Sequence, residues 1–126
     1  MRLLLDTHLI LWWFDNSPQL PETALRLIAE PENTIFVSAA SVWEMSIKQG
    51  LGKLELPEAF DKVLATSGFE MLAIQPGHAR ATKDLPLLHR DPFDRMLLAQ
   101  ATVERITLLT ADAQVAKYGK PAMLAH

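Results

Sequence analysis

The sequence predicts an α/β fold: a central, mainly parallel sheet of four to five strands covered by helices on both faces. Three observations point there. Short apolar runs alternate with longer segments of helical spacing, turn-forming residues fall at the junctions, and 126 residues without a cysteine suit one domain spanning 1–126 and held by an apolar core.

The first run, Arg2 to Leu5, reads as a strand and is followed by a helix over Thr7 to Phe14, which Asn16-Ser17-Pro18 ends. A helix over Pro21 to Glu30 leads to a second strand, Ile35 to Val37. Helices then follow over Ala39 to Gln49, ended by Gly50 and Gly52, and over Pro57 to Thr66, ended by Ser67-Gly68. The third strand is Glu70 to Ile74; helices over Gly77 to Lys83 and Pro92 to Arg105 precede the fourth, Ile106 to Leu109, and Ala122 to Leu124 is a candidate fifth.

Composition narrows the chemistry. The lack of cysteine excludes disulfides, thiolate zinc sites and a cysteine nucleophile, and it suits a reducing cytoplasm. The opening MRLLLDTHLILWWF has the crude outline of a signal peptide, but Asp6 and His8 interrupt its apolar run and no small-residue cleavage site follows. No apolar stretch approaches the ~20 residues of a membrane span, so a cytoplasmic protein is expected. Net charge is −3, from 12 basic and 15 acidic residues, unlike the basic footprint of a DNA-coating protein. Setting four carboxylates aside for a metal leaves 11 acids against 12 bases, which removes most of that objection.

Ligands of an open α/β sheet bind beyond the carboxyl ends of its strands. Asp6 directly follows the first strand and Asp112 comes three residues after the fourth. A helix leading into a strand begins beside that strand's carboxyl end, which brings Asp91 and Asp94 to the same edge. Glu44 is a mid-helix acid inside or beside the stripe formed by Ala40, Trp43, Ile47 and Leu51, which is expected to be the buried face. A carboxylate buried there without a partner costs several kcal/mol, so titration or cation binding is the expected relief.

Each acid also has a structural reading. Asp91 before Pro92 is a ready N-cap, with Asp94 at N3 where a negative charge suits the helix dipole. Asp112 suits the cap of a short helix, and Asp6 suits bonding to free amides of the helix after it. His8 and His89 lie near the acids but lack the spacing of a zinc-binding pair. Arg90 and Arg95 suit either phosphate binding or a solvated helix start, while Trp12, Trp13 and Trp43 read as core or subunit-interface residues before base-stacking platforms. Val42 and Met45, away from the Trp43 stripe, allow a second packing surface.

An oxygen-rich site without thiolates selects magnesium or manganese, and the natural chemistry of such a site is phosphodiester hydrolysis. No Walker-type or GxGxxG loop is present, so nucleoside triphosphates and dinucleotides are not the expected ligands.

Four blocks, LLLDTH at 3–8, SAASVWEMSIKQGLGKL at 38–54, LPLLHRDPFDRMLLAQA at 85–101 and LLTAD at 108–112, resemble those of PIN-domain ribonucleases, VapC-type toxins in particular. The likeness runs over nearly the whole chain, and HRDPFDRMLLAQA is its most specific part. It implies a three-layer α/β/α sandwich, a homodimer, a cognate antitoxin and Mg2+-dependent endonucleolytic cleavage of single-stranded RNA, with Mn2+ as a substitute. It also implies that Asp6, Glu44, Asp94 and Asp112 form the metal site. Thr7, Ser38 and Thr110 then adjoin the acids and orient ligands or water, and Asp91 is more peripheral, positioning Arg95 or capping its helix. Two alternatives share the fold type. A phosphoacceptor receiver domain matches Lys120-Pro121 but wants an acceptor aspartate after the third strand, where Ile74-Gln75-Pro76 stands; a PIN-like binding module without activity would not need all four acids.

Overall fold

The structure is a computed structural model that describes residues 1–126. Its elements in chain order are β1 (Arg2–Leu5), α1 (Thr7–Phe14), α2 (Glu22–Ala29), β2 (Thr34–Ser38), α3 (Ala39–Gly50), α4 (Phe60–Thr66), β3 (Glu70–Leu72), α5 (Pro76–Ala81), a 3-10 turn (Thr82–Asp84), α6 (Pro92–Glu104), β4 (Thr107–Thr110), α7 (Ala113–Ala116) and β5 (Ala122–Leu124). The five strands are all parallel in the order β3-β2-β1-β4-β5, with Leu4 of β1 opposite Phe36 on one side and Leu108 on the other.

Alternate residues of the central strands feed two cores, as a parallel sheet buried on both faces requires. Leu3 and Leu5 pack with Leu9 and Ile10 of α1, Ile28 of α2, Met45 of α3 and Phe60 and Leu64 of α4. Leu4 and Leu108 face the other way, onto Leu97, Leu98 and Ala101 of α6 and Val115 of α7. The result is the three-layer α/β/α sandwich with a central parallel sheet. Its strand order reverses at β1: the chain steps outward through β2 and β3, then returns to the far side of β1 for β4. The gap beyond the carboxyl ends of β1 and β4 is therefore the topological switch point, where ligands of such sheets bind.

The differences from the sequence expectation have local causes. The third strand stops at Leu72, short of Ile74, because Gln75 already caps α5 in a capping box with His78. His78 is buried, and its Nε2 lies 3.1 Å from Glu104 Oε2, tying α5 to α6. Helix α4 begins at Phe60, not Pro57, and β4 is shifted one residue, to Thr107–Thr110.

The largest difference lies in α3. Trp43 and Leu51 are 60% and 64% exposed and Ile47 is exposed too, whereas Ala40, Ser41, Glu44 and Met45 are buried. The helix has two apolar faces about a half-turn apart, and it turns the Met45 face inward. Trp43 is thus not a core residue of this chain; its ring meets Phe93 edge-on, with centroids 5.1 Å apart. Trp12 and Trp13 are half-buried against the core, as expected.

Candidate functional site

Asp6 sits where β1 ends and α1 begins. Its Oδ1 accepts from the Leu9 amide at 2.9 Å as an N-cap, while its Oδ2 accepts from the Thr110 hydroxyl at 2.6 Å and the Ala111 amide at 3.1 Å. This one carboxylate ties β1 to the end of β4. Burial nevertheless pushes its pKa above the ordinary value, with those hydrogen bonds opposing the rise. Thr110, fully buried, also accepts from the Asp112 amide at 3.0 Å through Oγ1 and so sets the direction in which the chain leaves β4.

Asp112 caps the short α7 through Oδ1, which accepts from the Gln114 amide at 2.8 Å, and leaves its Oδ2 without a hydrogen bond. Asp94 lies in the first turn of α6. Its Oδ2 is 2.8 Å from His89 Nε2 and its Oδ1 is free. Burial raises the Asp94 pKa to about 6; the His89 contact lowers it, and the charges of Asp91 and Asp6 raise it further. Ligand atoms of His89, Asp94 and Asp112 all lie within 4.8 Å of one another.

Glu44 stands apart from that trio. It is buried, but it reaches a different relief from the two expected: Oε1 accepts from the Thr7 hydroxyl at 2.7 Å and Oε2 from Lys48 Nζ at 2.9 Å, one helical turn along. Thr7 Oγ1 also lies 3.0 Å from Ser41 Oγ, so α1 and α3 are joined by a small buried polar network. Ser38 caps α3 through the Ala40 amide and bonds Gln100 of α6, whose amide nitrogen reaches the Ala73 carbonyl. No buried side-chain polar atom lacks a partner.

Asp91 caps α6 as its Asp-Pro sequence suggests, with Oδ1 accepting from the Phe93 and Asp94 amides at 2.8 and 3.1 Å. It does not position Arg95. That guanidinium is committed elsewhere, to the carbonyls of Thr82, Leu85, Pro86 and His89 and to the Tyr118 hydroxyl, at 2.9 to 3.5 Å. Its donors thus staple the 82–90 segment. Arg90 is exposed and lines a pocket with Trp43, Phe93 and Arg95.

Four residues that the sequence reading leaves out, Ser41, Lys48, Gln100 and Tyr118, support the site. Lys48 had a readable signal, the Glu-to-Lys i,i+4 spacing; Gln100 and Tyr118 act through tertiary contacts that no local pattern carries.

The donor set fits a divalent ion. Asp94 Oδ1 and Asp112 Oδ2 have free lone pairs, Asp6 retains one on Oδ1, and the burial that raises the pKa of Asp6 and Asp94 is a cost that a cation would offset.

No curated protein matches the sequence. Among solved structures, the fold is similar to the VapBC2 complex of Rickettsia felis bound to a promoter DNA fragment, at a TM-score of 0.69 and 21% identity over 98% of this chain and 97% of that one. It is similar also to a toxin-antitoxin complex from Klebsiella pneumoniae, at 0.67 and 20% over 98% of each chain. FitAcB from Neisseria gonorrhoeae gives 0.66 and 18% over 97% of this chain and 96% of that one. The PIN domain family model matches residues 3–121, nearly the whole chain, and with the acids gathered at the switch point of its sheet this protein belongs to the PIN domain family.

Proposed function

We propose that the chain is a Mg2+-dependent endoribonuclease, with Mn2+ as a substitute ion, that cuts single-stranded regions of RNA and is the toxin of a toxin-antitoxin pair. The observation that carries this reading is the gathering of Asp94 and Asp112 at the β1/β4 switch point of a PIN fold, with Asp6 joined to the Asp112 turn through the Thr110 hydroxyl. The toxin assignment is supported by the printed descriptions of the similar structures, which are toxin-antitoxin complexes.

In this reading Asp94 and Asp112 hold the ion with their free oxygens, and Asp6 contributes its remaining lone pair or acts through water. An ion held there would supply a water of lowered pKa and a positive charge facing the phosphoryl oxygens. Glu44, steadied by Thr7 and Lys48, orients the attacking water. Thr110 and Ser38 fix the strand ends from which these acids project, and Asp91 holds the first turn of α6 in place. Arg90, exposed in the HRDPFD segment that carries Asp94, is the arginine available to a neighbouring backbone phosphate.

A cognate antitoxin, a homodimer and a cytoplasmic setting, with the whole of 1–126 forming one PIN-like domain, complete the proposal. No helix is long and apolar enough to cross a membrane. The substrate assignment is tested with end-labelled oligonucleotides of one sequence, as single-stranded RNA, duplex RNA and single-stranded DNA, in Mg2+. Internal cuts confined to the single-stranded RNA are expected; equal cleavage of the DNA would overturn it.

A further inference from the structure

The acids read from the sequence are carboxylates, yet the group whose ligand atoms lie within 4.8 Å of one another contains an imidazole. Resting on the metal-dependent reading above, we infer that His89 is itself a ligand of the divalent ion, so that the site is a mixed nitrogen and oxygen set.

Three observations carry this. His89 Nε2 is 2.8 Å from Asp94 Oδ2, and the pair joins Asp112 in a group whose ligand atoms lie within 4.8 Å of one another. Two donors at right angles on one ion with bonds of about 2.1 Å stand ~3 Å apart, and opposite donors ~4 Å; the 2.8 Å His89–Asp94 pair has the first spacing, and the wider group would close by roughly half an ångström around an ion. Second, the segment bearing His89 is built to present it. Its carbonyl accepts from Arg95 on α6, the helix of Asp94, at 3.5 Å and from Tyr118, just beyond the short helix capped by Asp112, at 3.3 Å. The backbone of His89 is thus tied to the two elements that bring the carboxylates. Third, Asp6 and Glu44 have most or all of their oxygens engaged by protein donors, which leaves room in the shell for a further donor.

Imidazole is a softer ligand than carboxylate and favours transition metals over magnesium. The site should therefore hold Mn2+ more tightly than an all-oxygen site would, and that preference should depend on His89. A histidine that merely steadies Asp94 by a hydrogen bond predicts something else: its loss would weaken both ions alike.

The test uses the full chain, stripped of metal, with Mn2+ and Mg2+ as the probes. Bound Mn2+ is followed by electron paramagnetic resonance, including the nitrogen modulation of its electron spin echo, and Mg2+ by competition. Wild type is expected to show directly bonded nitrogen. His89→Ala should abolish that coupling and weaken Mn2+ binding about tenfold or more, with Mg2+ binding changed less than about threefold. His89→Gln, which keeps a hydrogen bond to Asp94 but offers oxygen, should behave like His89→Ala toward Mn2+, with circular dichroism confirming that both fold. Mn2+ bound without nitrogen coupling, or equal losses for the two ions, overturns the assignment while leaving the metal-dependent reading standing. A wild-type chain that binds neither ion overturns both.

Discussion

Replacing Asp94 with Asn is expected to abolish RNA cleavage and, in the absence of metal, to make the protein more stable. Loss of a direct ligand should cost more than the 10–100-fold typical of groups that only support a ligand, so a drop in cleavage rate of at least about a hundredfold is expected. The stability gain follows from burial. The Asp94 pKa stands at about 6 in the folded chain against an ordinary 3.8, so the folded state binds the proton more tightly than the unfolded chain does. Asp94 therefore contributes nothing unfavourable below about pH 4, becomes progressively destabilising as pH rises through 6, and costs about 1–3 kcal/mol at neutral pH. Melting of the metal-free protein followed from pH 4 to pH 8 should show a fall that is smaller in Asp94→Asn, which keeps an oxygen for His89 but no charge. Added Mg2+ should reverse the order, because an ion that binds only the folded wild type stabilises it by mass action. A variant less stable than wild type at pH 8 without metal would show that the hydrogen bond matters more than the buried charge.

The second large effect is expected at Arg95. Replacement by Met keeps the apolar stem of the side chain and removes donors from four carbonyls and a tyrosine hydroxyl. Net losses of 1.5–3 kcal/mol for a hydrogen bond to a charged group, moderated by rehydration of a surface segment, suggest a cost of about 2–4 kcal/mol. Lys should not restore it, since a single ammonium cannot reproduce the planar fork. Metal binding should weaken as well, through His89 and Asp94. If Arg95 instead held the RNA, Arg95→Met would raise KM with stability unchanged, so thermal melting together with a KM measurement decides between the two.

The sequence carried the sheet and its acid edge well, for a physical reason. In a parallel sheet every strand ends on the same side, so Asp6 and Asp112 could be placed together merely from following strands, and Asp94 from starting the helix that leads back. Asp91-Pro92 likewise announced its cap through local chemistry alone. What was not legible depended on contacts distant in the chain. Periodicity gave α3 an apolar stripe through Trp43, Ile47 and Leu51 but could not say which of its two apolar faces the sheet would cover, and the Met45 face is the one buried. His89 lacks a histidine partner at a regular spacing, and the contacts that set its ring 2.8 Å from Asp94 are tertiary ones that no local pattern carries. Arg95 reads as a phosphate ligand or part of a solvated helix start, because charge is legible in sequence while the carbonyls that its donors reach are not.

The central claim is that the acids at the β1/β4 edge form a metal-dependent ribonuclease site. Its most direct test is cleavage of labelled total cellular RNA by the purified chain, freed of any partner, in Mg2+, in EDTA, and in EDTA followed by excess Mg2+, with Asp94→Asn alongside. Discrete fragments that appear in Mg2+, vanish in EDTA, return with added Mg2+ and never form with Asp94→Asn are the expected result. Cleavage that persists in EDTA or survives in Asp94→Asn, or intact RNA in both Mg2+ and Mn2+, would contradict it.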